Sequence, residues 1–138
     1  MFNQSNPRTR GVRSARRENH KRVLLIEDEA DTRFAMGELL RLWGYDVDEA
    51  SSGEDGLKAA FATRPTVALV DIGLPDMDGC EVARKLNTWG PVRPTLVAIS
   101  GKTAHADRRR GFDAGFDVYL TKPLELSLLA EILNSPEP

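Results

Sequence analysis

Val67-Ala-Leu-Val-Asp71-Ile-Gly-Leu-Pro-Asp-Met-Asp-Gly79 decides the fold of this 138-residue chain. Its first four residues are apolar, two of them β-branched, and the run is too short for a helix. It reads as a buried strand that ends on Asp71. Leu-Pro and Asp-Gly then mark a loop leaving the sheet. A strand apolar on both faces belongs to a parallel sheet covered by helices on each side. In such open sheets, ligands and reacting groups sit at the carboxyl ends of the strands. Asp71 therefore stands at a functional address. On Asp71 alone, the plainer role of capping the next helix competes with this one; the rest of the chain decides.

Four more strands follow the same plan. Arg22-Val-Leu-Leu-Ile-Glu27 is apolar and ends on the acids Glu27, Asp28 and Glu29. Tyr45 to Ala50 forms a short strand, Thr95 to Ser100 a buried one ending on a hydroxyl, and Gly115 to Lys122 a fifth closed by Pro123. Helical spacing fills the gaps. Asp31 to Trp43 has the neighbouring rows Ala35, Leu39, Leu42 and Met36, Leu40, Trp43; the Met and Trp positions read as core packing, and Gly44 stops the helix as a C-terminal cap. Glu54 to Thr63 has Leu57, Ala60 and Phe61 on one face and ends before Pro65. Cys80 to Asn87 buries Val82, Ala83 and Leu86, with Cys80 a small core residue. Ala104 to Ala114 is a more polar helix whose run Arg108-Arg109-Arg110 reads as a solvated face. Leu124 to Leu133 turns Leu128, Leu129 and Ile132 inward. Five alternations of strand and helix predict an α/β fold, a five-stranded parallel sheet with helices on both faces. Right-handed crossovers favour the order 2-1-3-4-5, the flavodoxin-like arrangement, with its switch point between strands 1 and 3.

Composition narrows the possibilities. The length suits one domain with a proper core. No apolar run approaches a membrane span, and the polar, Arg-rich start lacks the apolar stretch of a secretory signal. A lone cysteine excludes an internal disulfide and fits a cytoplasmic protein. His20 and His105 have no partners at zinc spacing. Residues 1–22 have seven bases against the single acid Glu18, a net +6, which leaves −8 on the remainder of a chain whose total is −2. Residues 1–21 thus read as a disordered basic extension, 22–133 as the domain and 134–138 as a frayed tail. Without interleaved aromatic residues, the extension suits a solubilising role better than a nucleic-acid-binding one.

At the switch point Glu27, Asp28 and Asp71 would converge. Three carboxylates repel one another unless a hard divalent cation joins them, and Mg²⁺ favours such ligands together with water and phosphate oxygens. A carboxylate can also attack phosphorus to give an aspartyl phosphate. Strands 4 and 5 bring the Ser100 hydroxyl and the Lys122 ammonium to the same edge. An acid pair, a third acid, a hydroxyl and a lysine, each at a strand's end, form a phosphoryl-transfer site.

Here the chain resembles the receiver domains of two-component response regulators, over roughly Lys21 to Leu133. The matching pieces are Leu-Leu-Ile-Glu27-Asp28-Glu29, Val-Asp71-Ile-Gly-Leu-Pro-Asp-Met-Asp-Gly, Ala-Ile-Ser100-Gly and Tyr119-Leu-Thr-Lys122-Pro. The resemblance implies that Asp71 accepts a phosphoryl group from a histidine kinase or histidine phosphotransfer protein. It implies that Glu27, Asp28, Asp71 and the backbone carbonyl of Gly73 hold Mg²⁺, and that Lys122 and Ser100 bind the phosphoryl group. Tyr119 resembles the family's switch aromatic, and Lys122-Pro123 its cis peptide. The first acid is Glu27 where many receivers have Asp, a change that keeps metal binding.

Three other readings compete. Gly101-Lys102-Thr103 looks like the end of a phosphate-binding loop, but Leu96 occupies the place of its first glycine. A haloacid-dehalogenase-like phosphatase needs a second Asp two residues after the nucleophile, where this chain has Gly73. A receiver-like interaction module that is never phosphorylated would be expected to lack one of the acid, hydroxyl or lysine groups. Only five residues follow Leu133, so the expectation is a stand-alone receiver. It would be a signalling protein and not an enzyme, catalysing only its own phosphorylation and dephosphorylation. Phosphorylation would bias a partner-binding surface around the fourth helix, fifth strand and fifth helix, which is also the candidate dimer face.

Overall fold

The computed structural model describes residues 21–101 and 105–134. The basic extension before residue 21, Lys102 and the tail after residue 134 lie outside the described residues. The elements alternate along the chain: β1 Arg22–Ile26, α1 Ala30–Leu42, β2 Asp46–Ala50, α2 Gly53–Thr63, β3 Val67–Asp71 and α3 Gly79–Asn87. A 3₁₀ turn at Gly90–Val92 leads to β4 Thr95–Ser100, α4 His105–Ala114, β5 Val118–Thr121 and α5 Leu126–Asn134. All strand pairs are parallel, in the order β2-β1-β3-β4-β5. The α/β class and the topology are as the sequence predicts.

The pleat sends alternate residues to opposite faces, and the core divides accordingly. Val23, Leu25, Val67, Leu69, Val97 and Ile99 pack with Leu40 of α1 and Leu129 and Leu133 of α5. Leu24, Ile26, Ala68, Val70, Leu96 and Ala98 face Ala60 of α2, Ala114 of α4, and Val82, Ala83 and Leu86 of α3. Cys80 is buried in this second layer, as a small core residue. Both faces of the central strands are covered, which is why they are apolar between their ends.

Two helix faces, in α2 and α5, differ from the sequence reading, and in α1 only one of the two rows is buried. In α1 the stripe that meets the sheet runs through Met36, Leu40 and Trp43, while Leu42 is 82% exposed and Ala35 faces solvent. A helix buries a limited arc, and this one is centred on the second row. In α2, Phe61 is 66% exposed instead of facing the core. The helix approaches the sheet through Gly53, Gly56 and Ala60, and a side chain on Gly56 would strike Ile26. Phe61 instead meets Trp89 edge-on at 6.5 Å, with the Arg64 guanidinium over both rings at 5.1 and 4.8 Å. In α5, Leu133 takes the inward place expected of Leu128, which is 38% exposed. The fifth strand is shorter than its apolar pattern, four residues from Val118, because Gly115 turns the chain with φ +113°.

The opposite end of the sheet is tied by Asp117. Its carboxylate receives two hydrogen bonds from Arg93, both 2.8 Å, and a third from the Leu96 N–H at 2.8 Å. Burial pushes its pKa up, but the Arg93 bonds, the Leu96 N–H and the Arg93 charge outweigh this and leave it below the usual carboxylate value. A lowered folded-state value stabilises the fold above the unfolded pKa of about 3.9, and that contribution is lost as pH falls through the folded value. Asp117→Ala will therefore cost about 1 kcal/mol near neutral pH, a figure kept small by partial exposure. Urea unfolding at neutral and acid pH measures this, and the gap between the two proteins should close in acid.

Candidate phosphoacceptor site

Each strand order and register step brings one functional group to the same edge. β1 and β3 pair up to Ile26 with Val70, so Glu27 and Asp71 come next. β4 and β5 pair up to Ser100 with Thr121, so Lys122 follows beside Ser100, and its N–H continues the ladder to the Ser100 carbonyl at 2.8 Å. Glu27, Asp28 and Asp71 offer carboxylate oxygens that all lie within 4.8 Å of one another. Glu27 is 2% and Asp71 8% exposed, while Asp28 faces solvent.

Lys122 Nζ stands 3.4 Å from Asp71 Oδ2 and 3.7 Å from Glu27 Oε1. The Gly73 N–H donates to Asp71 Oδ1 at 3.0 Å, and the Glu29 N–H to Glu27 Oε2 at 3.0 Å. Burial pushes the Glu27 carboxyl up. The Asp71 charge adds to that rise, while the Glu29 N–H and Lys122 oppose it without cancelling it. A buried carboxylate facing a second carboxylate is the condition that a bound dication relieves. The donor set is all oxygen, which fits a hard ion such as Mg²⁺.

Ser100 is 3% and Tyr119 5% exposed. The Tyr119 ring has the Arg108 guanidinium 5.2 Å from its centroid and Phe112 at 6.3 Å. It lies so close to Gly111 that a Cβ there would approach it to 2.9 Å. The Lys122-Pro123 peptide is cis, as the resemblance implies.

Several contributors were not visible as site residues in the sequence. Glu29, third of the acid run, is not a member of the cluster; it caps α1 by accepting the Thr32 N–H at 2.7 Å. Arg33 donates to the Glu27 and Asp28 carbonyls at 2.8 and 3.3 Å and pins the backbone of the acid pair. Asp76 accepts the Gly53 and Glu54 N–H groups at 2.8 and 2.9 Å, which straps the loop after Asp71 to the start of α2. Within the Arg108–Arg110 run, Arg109 and Arg110 are exposed, as the solvated-face reading expects, but two of the three arginines also have partners. Arg108 covers Tyr119, and Arg110 reaches Asp78 at 2.6 Å. A cleft of about 470 Å³ opens beside the phosphoacceptor candidate, lined by Asp71, Gly73, Asp78, Ser100, Gly101 and Arg110. Spacing within one helix gives no hint of this, since the arginine's partner is thirty-two residues away.

The sequence model of the response regulator receiver domain matches residues 23–134. The chain belongs to the response regulator receiver family. This receiver is 39% identical over 101 residues to the transcriptional regulatory protein KdpE of Mycobacterium tuberculosis, covering 73% of this chain and 44% of KdpE. It spans about half the length, or less, of the curated relatives it matches. Among solved structures, a CheY-like response regulator receiver domain protein from Methanospirillum hungatei superposes with a TM-score of 0.76 at 28% identity, covering 84% of this chain and 95% of the other. The receiver domain of a sensor histidine kinase from Pseudomonas aeruginosa gives 0.75 at 28% identity, covering 83% and 94%; that structure has a magnesium ion coordinated in its active-site cleft. None of the helices among the described residues of this receiver is long and apolar enough to cross a membrane.

Proposed function

We propose that this receiver accepts a phosphoryl group on Asp71 from a histidine kinase or histidine phosphotransfer protein in the cytoplasm, and that the modification alters a partner-binding surface. One observation carries the reading: the Asp71 carboxylate, nearly buried at the end of the central strand, has Lys122 Nζ at 3.4 Å within a three-carboxylate cluster. An Asp oxygen attacks phosphorus, a P–O bond forms, and the P–N bond to the donor imidazole breaks with its electron pair staying on nitrogen. Hydrolysis reverses the modification: water attacks phosphorus, inorganic phosphate leaves, and the Asp71 carboxylate returns. These are the only reactions the protein catalyses.

Glu27, Asp28, Asp71 and the Gly73 carbonyl are the groups that would hold Mg²⁺. Bound there, the ion supplies positive charge against the repulsion between carboxylate and phosphate. Lys122 pairs with phosphoryl oxygens and neutralises charge that develops in the transition state. The Gly73 N–H keeps one Asp71 oxygen fixed, leaving the other to attack. Ser100 donates its hydroxyl to the phosphoryl group, and its displacement passes to the buried Tyr119 ring on the face formed by α4, β5 and α5. The same face is the candidate dimer contact.

Intact mass after incubation with acetyl phosphate tests the reading. With Mg²⁺, the chain will gain one phosphoryl group, located on the peptide that contains Asp71; with excess chelator it will gain none. A folded protein that stays unmodified with Mg²⁺ present would transfer the assignment to an unphosphorylated interaction module. Turnover of small phosphate esters would point instead to a phosphatase.

A further inference from the structure

Arg110 lines the same cleft as Asp71 and Ser100, and it enters from α4. Its guanidinium is held by Asp78 Oδ2 at 2.6 Å. The other oxygen of that carboxylate accepts the Cys80 N–H at 2.9 Å and caps α3. One aspartate thus serves two partners and ties the start of α3 to α4. Both side chains of the ion pair are substantially exposed, 44% and 39%, and pairs so open to water contribute little. A phosphoryl group on Asp71 replaces the single carboxylate charge by a phosphate charge near −2 and brings three acceptor oxygens into the same cleft, a stronger partner for a planar guanidinium than a single solvated carboxylate.

We propose that Arg110 is a second phosphoryl-binding cation of this cleft, parked on Asp78 while Asp71 is unmodified and transferred to the phosphoryl oxygens once it is modified. The inference rests on the reading of Asp71 as the phosphoacceptor. Its consequence is mechanical as well as electrostatic. When Arg110 leaves Asp78, the bridge from the start of α3 to α4 is released, while Asn87 still donates to the Ala114 carbonyl at 3.0 Å where the two helices end, so α4 responds to phosphorylation through its own arginine in addition to any movement of Ser100.

Titration calorimetry of the full chain with beryllofluoride, a phosphoryl mimic, in the presence of Mg²⁺ tests this. Arg110→Gln removes the cation. Asp78→Asn removes the parking charge while keeping a side chain that caps a helix equally well. Loss of one charge-assisted contact at a half-exposed rim predicts five- to tenfold weaker binding for Arg110→Gln. Arg110→Lys should fall between wild type and Arg110→Gln, because a lysine keeps the charge without the fork. Asp78→Asn should bind about two- to fivefold more tightly, since Arg110 no longer has to leave a charged partner. A purely structural strap would move both variants in one direction, because each breaks the same bridge; that result overturns the proposal, as does wild-type affinity in Arg110→Gln. Thermal melts of the variants separate misfolding from loss of binding, with Arg110→Lys as the replacement if Arg110→Gln is unfolded. Absence of saturable binding by the wild type is a different failure: it removes the phosphoacceptor reading and this inference with it.

Discussion

Asp71→Asn will take up no phosphoryl group from acetyl phosphate, a loss of roughly a thousandfold or more in rate, because an amide oxygen is not a nucleophile toward phosphorus. The change is close to isosteric, and the amide oxygen can still accept the Gly73 N–H now made to Asp71 Oδ1 at 3.0 Å. It also removes one of three carboxylates whose oxygens crowd within 4.8 Å. Lys122 loses a partner at 3.4 Å but keeps Glu27 at 3.7 Å. The folded state should therefore be no less stable than wild type, and a thermal melt beside the intact-mass assay establishes that the lost adduct is chemical and not a folding defect. An adduct that persists on the variant would place the phosphoacceptor elsewhere.

Gly79→Val will destabilise the domain by about 3 kcal/mol, at the upper end of overpacking penalties and a large share of the 5–15 kcal/mol typical of a domain. Gly79 opens α3 at the point where that helix approaches β3. A Cβ there would lie 2.8 Å from Ile72 Cα and 2.9 Å from the Asp71 carbonyl oxygen, both backbone atoms of the strand end and so unable to step aside as a flexible side chain could. The Gly79 N–H also donates to the Ile72 carbonyl at 3.0 Å, which fixes the approach. Either α3 moves away from its buried Val82, Ala83 and Leu86 contacts, or the Asp71–Ile72 backbone shifts. The first costs core packing and the second misplaces the Asp71 carboxylate. A drop in melting temperature of about 10 °C is expected, with slower phosphorylation of the material that remains folded. Gly73→Ala is the matched control. The nearest atom to a Cβ there is Asp71 Oδ1 at 3.8 Å, so its stability should stay close to wild type.

Asp-Gly at positions 78 and 79 is legible in the sequence as a turn, and it is a helix start whose glycine is required by the closeness of a strand. The same division runs through the molecule. The strands of the central sheet could be read locally because burial on both faces makes their interiors apolar, as in residues 67–70 and 96–99. Their order follows from crossover handedness, and with order comes the meeting of Glu27, Asp71, Ser100 and Lys122 at one edge. Helix faces were less legible. Leu42, Phe61 and Leu128 satisfy apolar spacing as well as their buried neighbours do, and nothing local says which arc of a helix meets the sheet.

The sequence by itself determined the five strands, their parallel stacking and the functional groups at their ends, because each is written in residue type and period within a few positions. Only the tertiary structure decided which charges join that site. Arg33 reaches back to the acid pair's carbonyls, Glu29 is spent on a helix cap, and Arg110 crosses to Asp78 from another helix. Such pairings depend on the distance between elements remote in the chain, and a charged side chain has the same identity whether it meets water or a partner.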